Sequence, residues 1–429
     1  MAGDWTQVRL RDICEKITKG TTPTTIGYSF SDSGINFIKS ECLTYEGKID
    51  SSKFAYIGPE THQAMSRSQI QTNDILMSMA GVYLGKVGII SVEHTPANTN
   101  QAVAIIRLRP KGVSHRFVTY CLRAPLLLAH IRNGVAQSAQ PNINLADIGN
   151  LKINLPGPKE QQAIARILGS LDDKIELNRK MNETLEQMAK AIFKSWFIDF
   201  DPVKAKAEGC KLNPPKEISG LFPDSFQESE LGDIPMGWEV RGLDEIAEYL
   251  NGLALQKYPP GETASLPVIK IAQLRTGNTE DSDRASVDIP PEYVVGDGDV
   301  LFSWSGSLEV IVWCGGPGAL NQHLFRVTSD HFPKWFYYQW TKHHLPSFQD
   351  IAADKATTMG HIQRYHLREA KVLIPSQKLM VVMDRQMAPL LEKMIANRIE
   401  VRSLASLRDS LLPKLLSGAI RIKDAERFV

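Results

Sequence analysis

Three shortages narrow what this 429-residue chain can be. It has only five cysteines, Cys14, Cys42, Cys121, Cys210 and Cys314, an odd number spread widely along the chain. That pattern argues against a disulfide framework and against a zinc site built on paired Cys spacing, so they read as reduced structural residues. No apolar run reaches the roughly 18 residues that a membrane-spanning helix needs, and Met1 to Leu10 lacks the basic-then-apolar layout of a signal peptide. A cytoplasmic location without membrane contact is expected. Charge of one sign is also scarce: the net charge is +1, which argues against a uniformly basic nucleic-acid binder.

What is present is an ordinary globular composition, 43% hydrophobic and 23% charged. At about 100 to 200 residues per domain the length suggests two to four domains. The charge is distributed unevenly. Asp4 to Lys159 holds 17 Lys and Arg against 11 Asp and Glu, whereas Trp238 to Gln377 holds 12 against 17.

An internal repeat organises the chain. Trp5, Leu10, Ile13 and Glu15 recur as Trp238, Leu243, Ile246 and Glu248, 233 positions later. Phe37-Ile38-Lys39 lies over Val268-Ile269-Lys270, and Asp74 to Gly81 lies over Asp299 to Gly306. Asn100-Gln101 matches Asn321-Gln322, and Leu155-Pro156 matches Ile374-Pro375, by which point the offset has shrunk to 219. Loops have therefore changed length between two copies in conserved order.

Each copy ends in a long helical pattern. Apolar residues recur at Ile164, Leu168, Leu171, Ile175, Leu185, Met188 and Ile192, and again at Met383, Met387, Leu390, Met394, Leu404, Leu407 and Leu411. Spacings of 3, 4 and 7 mark a coiled-coil seam. Segments of roughly 40 residues make helices of about 60 Å, and exposed seams that long should pack on each other. Asn178 and Asn397 fall on the seam at equivalent positions and are candidates for fixing its register; the alternative is that they sit exposed where the seam frays. Pro389 and Pro413 are expected to kink the second helix, and Gly418 to end it.

The globular parts read as mixed α+β. Strands are expected at Ile35–Lys39, Asp74–Met79, Gly88–Val92 and Ala102–Leu108, and again at Pro267–Ile271, Asp299–Trp304, Ile311–Cys314 and Leu324–Val327. Helices are expected over Phe117–Ile131, broken at Pro125, and around Lys334–His343. The predicted layout is a first globular domain (1–158), a long helix (159–200), a connector without periodic signal (201–237), a second globular domain (238–377), a second long helix (378–418) and a tail (419–429). The fold class is thus α+β: two tandem domains separated by two long helices packed as an antiparallel coiled coil, with a pseudo-twofold internal repeat.

Signatures of catalysis are sparse. Asn213-Pro214-Pro215 approaches the element with which adenine methyltransferases hold a flipped base, but Lys216 replaces the stacking aromatic. No Walker A sequence occurs. Glu46-Gly47-Lys48 lacks the preceding Pro-Asp of a nuclease and reads as a turn. His343-His344 lacks ligand-spaced Cys or Glu, so no metal is expected.

The run Phe193-Lys194-Ser195-Trp196-Phe197-Ile198-Asp199-Phe200-Asp201-Pro202-Val203, with Leu221 to Phe226, Leu231-Gly232 and Pro235-x-Gly237-Trp238, resembles the central region of type I restriction-modification specificity subunits. Leu411 to Gly418 adds to the likeness, which covers the whole chain in order. The resemblance implies two target-recognition domains that each read one part of a bipartite site in double-stranded DNA. It further implies a non-catalytic prokaryotic protein whose helices dock two methyltransferase subunits, joined by restriction/translocase subunits, with S-adenosylmethionine, ATP and Mg bound by those partners. A stand-alone adenine methyltransferase and a coiled-coil adaptor that reads no DNA are the alternatives.

Sequence readout needs donors and acceptors on loops or helix starts, with Lys and Arg on phosphates. Candidates in the first domain are Lys19, Thr21, Thr24, Lys39, Ser40, Tyr83, Lys86, Gln137, Ser138 and Gln140, with Asn100 and Gln101 better suited to a scaffold role because the pair recurs. In the second domain they are Lys257, Lys270, Gln273, Arg275, Trp304, Ser305, Gln322, His323, Thr357, Thr358 and His361. Polar residues beside turns also commonly satisfy backbone groups, which is the alternative for each.

Overall fold

The computed structural model describes residues 5–134, 142–210, 216–354, 360–420 and 422. The chain divides into two compact units, Met1–Lys174 with Leu404–Val429 (unit 1) and Ile175–Ser403 (unit 2). Among the described residues no helix is long and apolar enough to cross a membrane.

The repeat in the sequence is a repeat in topology. In unit 1 a four-stranded sheet runs in the order Cys14–Lys19, Val103–Leu108, Ile75–Ser78, Val87–Ile89. Unit 2 uses the same order with Glu248–Asn251, Leu324–Thr328, Val300–Ser303 and Val310–Val312. Ile75–Ser78 and Val300–Ser303 are buried at every position, which is why both read as continuous apolar runs without polar alternation. A second sheet in each unit contains one parallel pair, Ile35–Ile38 with Ala97–Thr99 and Leu266–Ile269 with Gly318–Leu320. The first and last strands of each globular part pair antiparallel, Thr6–Arg9 with Lys152–Leu155 and Glu239–Gly242 with Lys371–Ile374. Even the ion pair that braces the sheet is duplicated. The Arg107 guanidinium forks onto Asp74 at 2.8 and 2.7 Å, and that of Arg326 onto Asp299 at 3.2 and 3.1 Å.

Helix boundaries follow the sequence reading in one place and depart from it in two. The segment expected over Phe117–Ile131 is two helices, His115–Arg123 and Pro125–Gly134, split as expected at the proline. The helix expected at Lys334–His343 continues to Asp354 through Pro346, because Phe348 and Ala352 beyond the proline are buried in the core and hold the chain in register. Ile271 ends no strand; it opens the short helix Ile271–Thr276.

The long helices are Pro158–Phe197 and Gln377–Leu416. The second continues as one helix through Pro389 and Pro413. A proline removes one ladder donor, and buried residues on either side, Met387 and Leu391 about Pro389 and Leu412 and Leu415 about Pro413, keep the turns packed. Gly418 follows the helix end with φ 71°, the left-handed conformation that closes a helix C-terminus at least cost for glycine. In unit 2 partners fall from Glu400 to Met394 on the second helix as they rise from Asn178 to Asn182 on the first, so the pairing there is antiparallel. Met188 lies off the seam at 47% exposure and Ala189 takes the buried position, as a repeat of 3.5 drifts on a helix of 3.6 residues per turn.

The stretch 201–237, expected to be an irregular connector, is built into unit 2. It forms a helix at Asp201–Ala207 and a hairpin of Phe226–Ser229 with Gly232–Pro235, and it places Val203, Ile218, Phe222 and Ile234 in the core. Its anchor Phe222 meets Trp196 and Trp238 at ring separations of 6.3 and 6.4 Å, contacts too distant in sequence to leave a local period.

Candidate nucleic-acid interface

The most closely repeated feature outside the sheets is an exposed turn that follows the central strand of each unit. Gly81 and Gly306 occupy equivalent places with φ of 65° and 64°, a left-handed backbone that glycine adopts freely. Equivalent backbone bonds pin both turns. Met79 N–H donates to the Ala102 carbonyl at 2.8 Å and Trp304 N–H to that of His323 at 3.3 Å. Ile143 N–H donates to the Met79 carbonyl at 2.9 Å and Ile362 N–H to that of Trp304 at 3.0 Å. Bridges between Ala80 and Asn142 and between Ser305 and His361 complete each arrangement. Ile143 and Ile362 are both buried, so the pinning strand is itself fixed by the core.

The side chains on this common frame differ. In unit 1, Val82 stands at the tip with 82% exposure. Lys86 Nζ lies 4.9 Å from the ring centre of Tyr45 and 4.8 Å from that of Tyr83, and the Arg132 guanidinium lies 5.2 Å from that of Tyr45. Such cation–ring contacts hold long flexible side chains in place while leaving their charge available. In unit 2 the tip is the exposed Ser307, and Trp304 packs against His323 at 5.8 Å and His361 at 6.3 Å. The Trp304 indole N–H donates to Asn251 Oδ1 at 2.8 Å, and Gln322 Nε2 lies 3.3 Å from His323 Nε2. The Arg364 guanidinium rests 5.6 Å from the Phe325 ring centre and donates to the Tyr249 carbonyl.

Tyr83 and Lys86 in unit 1, and Trp304, Ser305, Gln322, His323 and His361 in unit 2, are thus sequence candidates that the fold gathers at equivalent turns. Ser305 is nonetheless buried and bonded to His323 Nδ1 at 3.0 Å, so its hydroxyl is an internal group. Ser40 and Gln273 are also withdrawn. Ser40 is buried below the Ala102 carbonyl, and the Gln273 amide oxygen accepts from the Lys270 N–H at the start of a helix. Lys39 pairs with Glu41 and Lys270 with Asp283. Lys19, Thr24, Lys257 and Arg275 are exposed and Thr21 half-buried, with no grouping of comparable density. Gln137, Ser138, Gln140, Thr357 and Thr358 lie outside the described residues. The recurring amide pairs sit under a tight crossing: a Cβ on Gly20 would come within 1.9 Å of the Thr99 carbonyl oxygen, and one on Gly252 within 2.2 Å of that of Asn321. Tyr45, Val82, Arg132, Asn251 and Arg364 were not among the sequence candidates. The signal that could have found the turn was the matched glycine, Gly81 over Gly306, inside a block already recognised as repeated.

Both seam asparagines are buried, at 1% and 0% exposure, rather than frayed. They do not bond each other. Asn178 Nδ2 donates to Glu400 Oε2 at 2.8 Å, and Asn397 Nδ2 to Asn182 Oδ1 at 2.9 Å. Each leaves its own Oδ1 buried without a hydrogen-bond donor.

Each unit also has a concavity at an equivalent place, of about 500 Å³ beside His366 and Lys371 in unit 2 and about 570 Å³ beside Asp147 and Lys152 in unit 1. In unit 2 it is walled by Trp340, His343 and His344. Burial and the adjacent His343 outweigh the hydrogen bond to the Lys371 carbonyl, which favours the charged form, and lower the pKa of His344 to about 4, so it is neutral at physiological pH. Among the described residues no three His, Cys, Asp or Glu side chains converge as a metal site would require.

Comparison with known proteins identifies the frame. The type I restriction enzyme MjaIX specificity subunit of Methanocaldococcus jannaschii is 26% identical over 431 residues, covering 98% of this chain and 94% of that protein. The HindI specificity subunit of Haemophilus influenzae is 25% identical over 341 residues, covering 68% and 73%. A solved type I restriction-modification S subunit from M. genitalium shares the fold, with a TM-score of 0.58 over 96% of each chain at 15% identity. Residues 2–187 and 235–407 match the type I restriction modification DNA specificity domain, and the chain belongs to that family.

Proposed function

We propose that this protein is the DNA-reading subunit of a type I restriction-modification enzyme, with residues 1–158 and 238–377 as two recognition domains that each read one part of a bipartite duplex site. The observation that carries the reading is the pair of pinned turns, one backbone frame presenting Val82, Tyr83 and Lys86 in one unit and Trp304, Ser307 and His323 in the other. A scaffold held this closely in common while its exposed side chains diverge is what two readers of different sequences require, since base edges are distinguished by donor, acceptor and methyl patterns. Two readers on one chain also make the second contact effectively intramolecular and make spacing part of specificity.

In this reading the chain performs recognition and its partners the chemistry. Two methyltransferase subunits bring S-adenosylmethionine, and restriction/translocase subunits bring ATP and Mg. The test is the methylome of a host expressing the chain with its partner subunits. Exchange of residues 5–158 for those of a relative should change one part of the methylated motif and leave the other intact. An unchanged motif would overturn the reading, and S-adenosylmethionine binding by the purified chain alone would favour a stand-alone methyltransferase.

A further inference from the structure

We infer that the two units divide the work of binding DNA, unit 1 supplying most of the phosphate-derived, salt-sensitive affinity and unit 2 a largely salt-insensitive readout. The inference rests on the proposed function and adds to it a difference in kind between the two readers. It stands on two scales of observation that agree. At the scale of the domain, the first globular part carries six more basic than acidic residues (17 against 11), while the second carries five fewer (12 against 17).

At the scale of the turn, unit 1 presents Lys86 and Arg132 braced on Tyr45 and Tyr83, and neither makes an ion pair with a described carboxylate. Glu46, next to Tyr45 in sequence, is half-buried. In unit 2 the corresponding groups are an indole, an amide and imidazoles. Four cations of the second globular part are committed to carboxylates: Arg326 to Asp299, Lys270 to Asp283, Arg368 to Asp244 and Lys371 to Glu230. Lys257, Arg275, Arg284, Lys334 and Arg364 remain exposed without a paired carboxylate among the described residues, but three of the five are engaged by neutral groups: Arg284 donates to Ser265, Lys334 to the Gly298 carbonyl, and Arg364 is stacked on Phe325. A cation paired internally releases few counterions on binding, whereas an unpaired, pre-positioned one neutralises a phosphate at little ordering cost.

The two arms of the test are a pair of charge-removing variant sets in the full chain, assembled with its co-expressed partner subunits. Affinity for a fluorescein-labelled duplex of mixed sequence is followed by anisotropy across a salt series. Each phosphate contact contributes about 0.9 to the slope of log K against log salt. The K86Q/R132Q variant should therefore flatten the slope by nearly 2. Raising salt from about 50 to 200 mM should cost it roughly tenfold less affinity than it costs the parent. The K257Q/R275Q/R364Q variant, with more charges removed, should flatten the slope by less than about 1. Equal flattening by the two sets, or a larger effect of the second, would overturn the division of labour while leaving DNA reading intact. Failure of the parent assembly to bind duplex at all would instead overturn the proposed function. All five side chains are half-buried or exposed, and unchanged melting midpoints would confirm that the variants fold.

Discussion

In unit 1 the contact between the globular part and the helices centres on one carboxylate. Asp172 accepts from Tyr120 Oη at 2.8 Å, Arg123 Nη1 at 3.0 Å and Arg408 Nη1 at 2.8 Å, with every side chain of the two ion pairs at most 10% exposed. In unit 2 the same junction is a slab of rings. Phe197 lies 5.1 to 6.3 Å from Phe193, Trp238, Trp335, Phe336 and Trp340, and the polar contacts are dispersed around it, Lys342 with Glu186, Arg402 with Asp297 and the Trp335 indole N–H on Asp384. The strand order, the bracing Asp–Arg pair and the pinned turn are shared, so the difference shows which parts of the repeat are constrained by backbone geometry and which were free to diverge. Wherever only burial and directional bonding had to be supplied, the two halves found different chemistry.

The largest expected effect tests the aromatic side of that comparison. Phe197→Ala should destabilise unit 2 by about 3–5 kcal/mol, since a ring at 1% exposure leaves a cavity that its rigid neighbours cannot fill. The repeat counterpart, Leu416→Ala at a half-buried position in unit 1, should cost about 1 kcal/mol. Six of the seven tryptophans lie in unit 2, so the tryptophan-fluorescence transition reports Phe197→Ala, and the cost of Leu416→Ala in unit 1 is read from amide exchange in that unit. A cost of similar size in both variants would show that the ring slab adds nothing beyond its apolar area.

Next in size is the charged side. Asp172→Ala leaves Arg123 and Arg408 buried without their shared anion and should cost about 3 kcal/mol. Glu186→Ala, at a pair a third or more exposed on one side, should cost less than about 1. Faster amide exchange in His115–Arg123 for the first variant alone is the diagnostic. A pH dependence follows. Burial pushes the Asp172 carboxyl up, but Arg123 with the Arg408 and Tyr120 hydrogen bonds outweighs it and leaves the pKa below the ordinary carboxylate value. A depressed carboxylate contributes its full stability above the unfolded value of about 3.9 and loses it as pH falls through the folded one. Unit 1 should therefore lose this contribution only below about pH 4, and the alanine variant should show a flatter acid limb.

The seam asparagines separate two similar residues. In Asn397→Leu the partner left behind is Asn182 Oδ1 on a half-buried side chain, and a buried acceptor without a donor is removed, so the substitution should stabilise by about 1 kcal/mol. Asn178→Leu also removes an unpaired Oδ1 but deprives Glu400 of a donor, and should come out near zero. Chemical denaturation of the full chain distinguishes them, and equal effects would show that the hydrogen bond to Glu400 carries no weight. A loosened spacer preference in the methylome of the double variant would tie these residues to register.

The repeat, the α+β class and the two long helices were legible in the sequence because the matched positions, such as Leu10 with Leu243 and Asp74 with Asp299, are buried or bonded in the same way in both copies. What escaped was held by contacts between distant residues. The order in 201–237 depends on Phe222 and Val203 joining the core that holds Trp196 and Trp238. At the reading turns the legible part was the glycine, and the illegible part was the partnership: nothing near Val82 in sequence announces that Lys86 and Arg132 both rest on the Tyr45 ring. Ser40 and Gln273 were misleading for the opposite reason, polar residues beside turns that serve the backbone.

The smallest effect bears most directly on whether the two turns are one device. Gly81→Ala and Gly306→Ala each place a Cβ on a backbone with φ near 65°, which costs an L-residue about 1 kcal/mol. Space does not discriminate them, since a Cβ on Gly81 meets nothing within 4 Å and one on Gly306 meets Ile271 Cδ1 at an ordinary 3.5 Å. If the frame is common and only its side chains differ, the two costs should agree to within about 0.5 kcal/mol by denaturation, the scatter expected of independent sites. The consequences for recognition should then part. Gly81→Ala should alter the motif read by one domain and Gly306→Ala that read by the other, each at its own bases. Alteration of the same bases by both would mean that the turns converge on one part of the site, and the correspondence between repeat and half-site would fail.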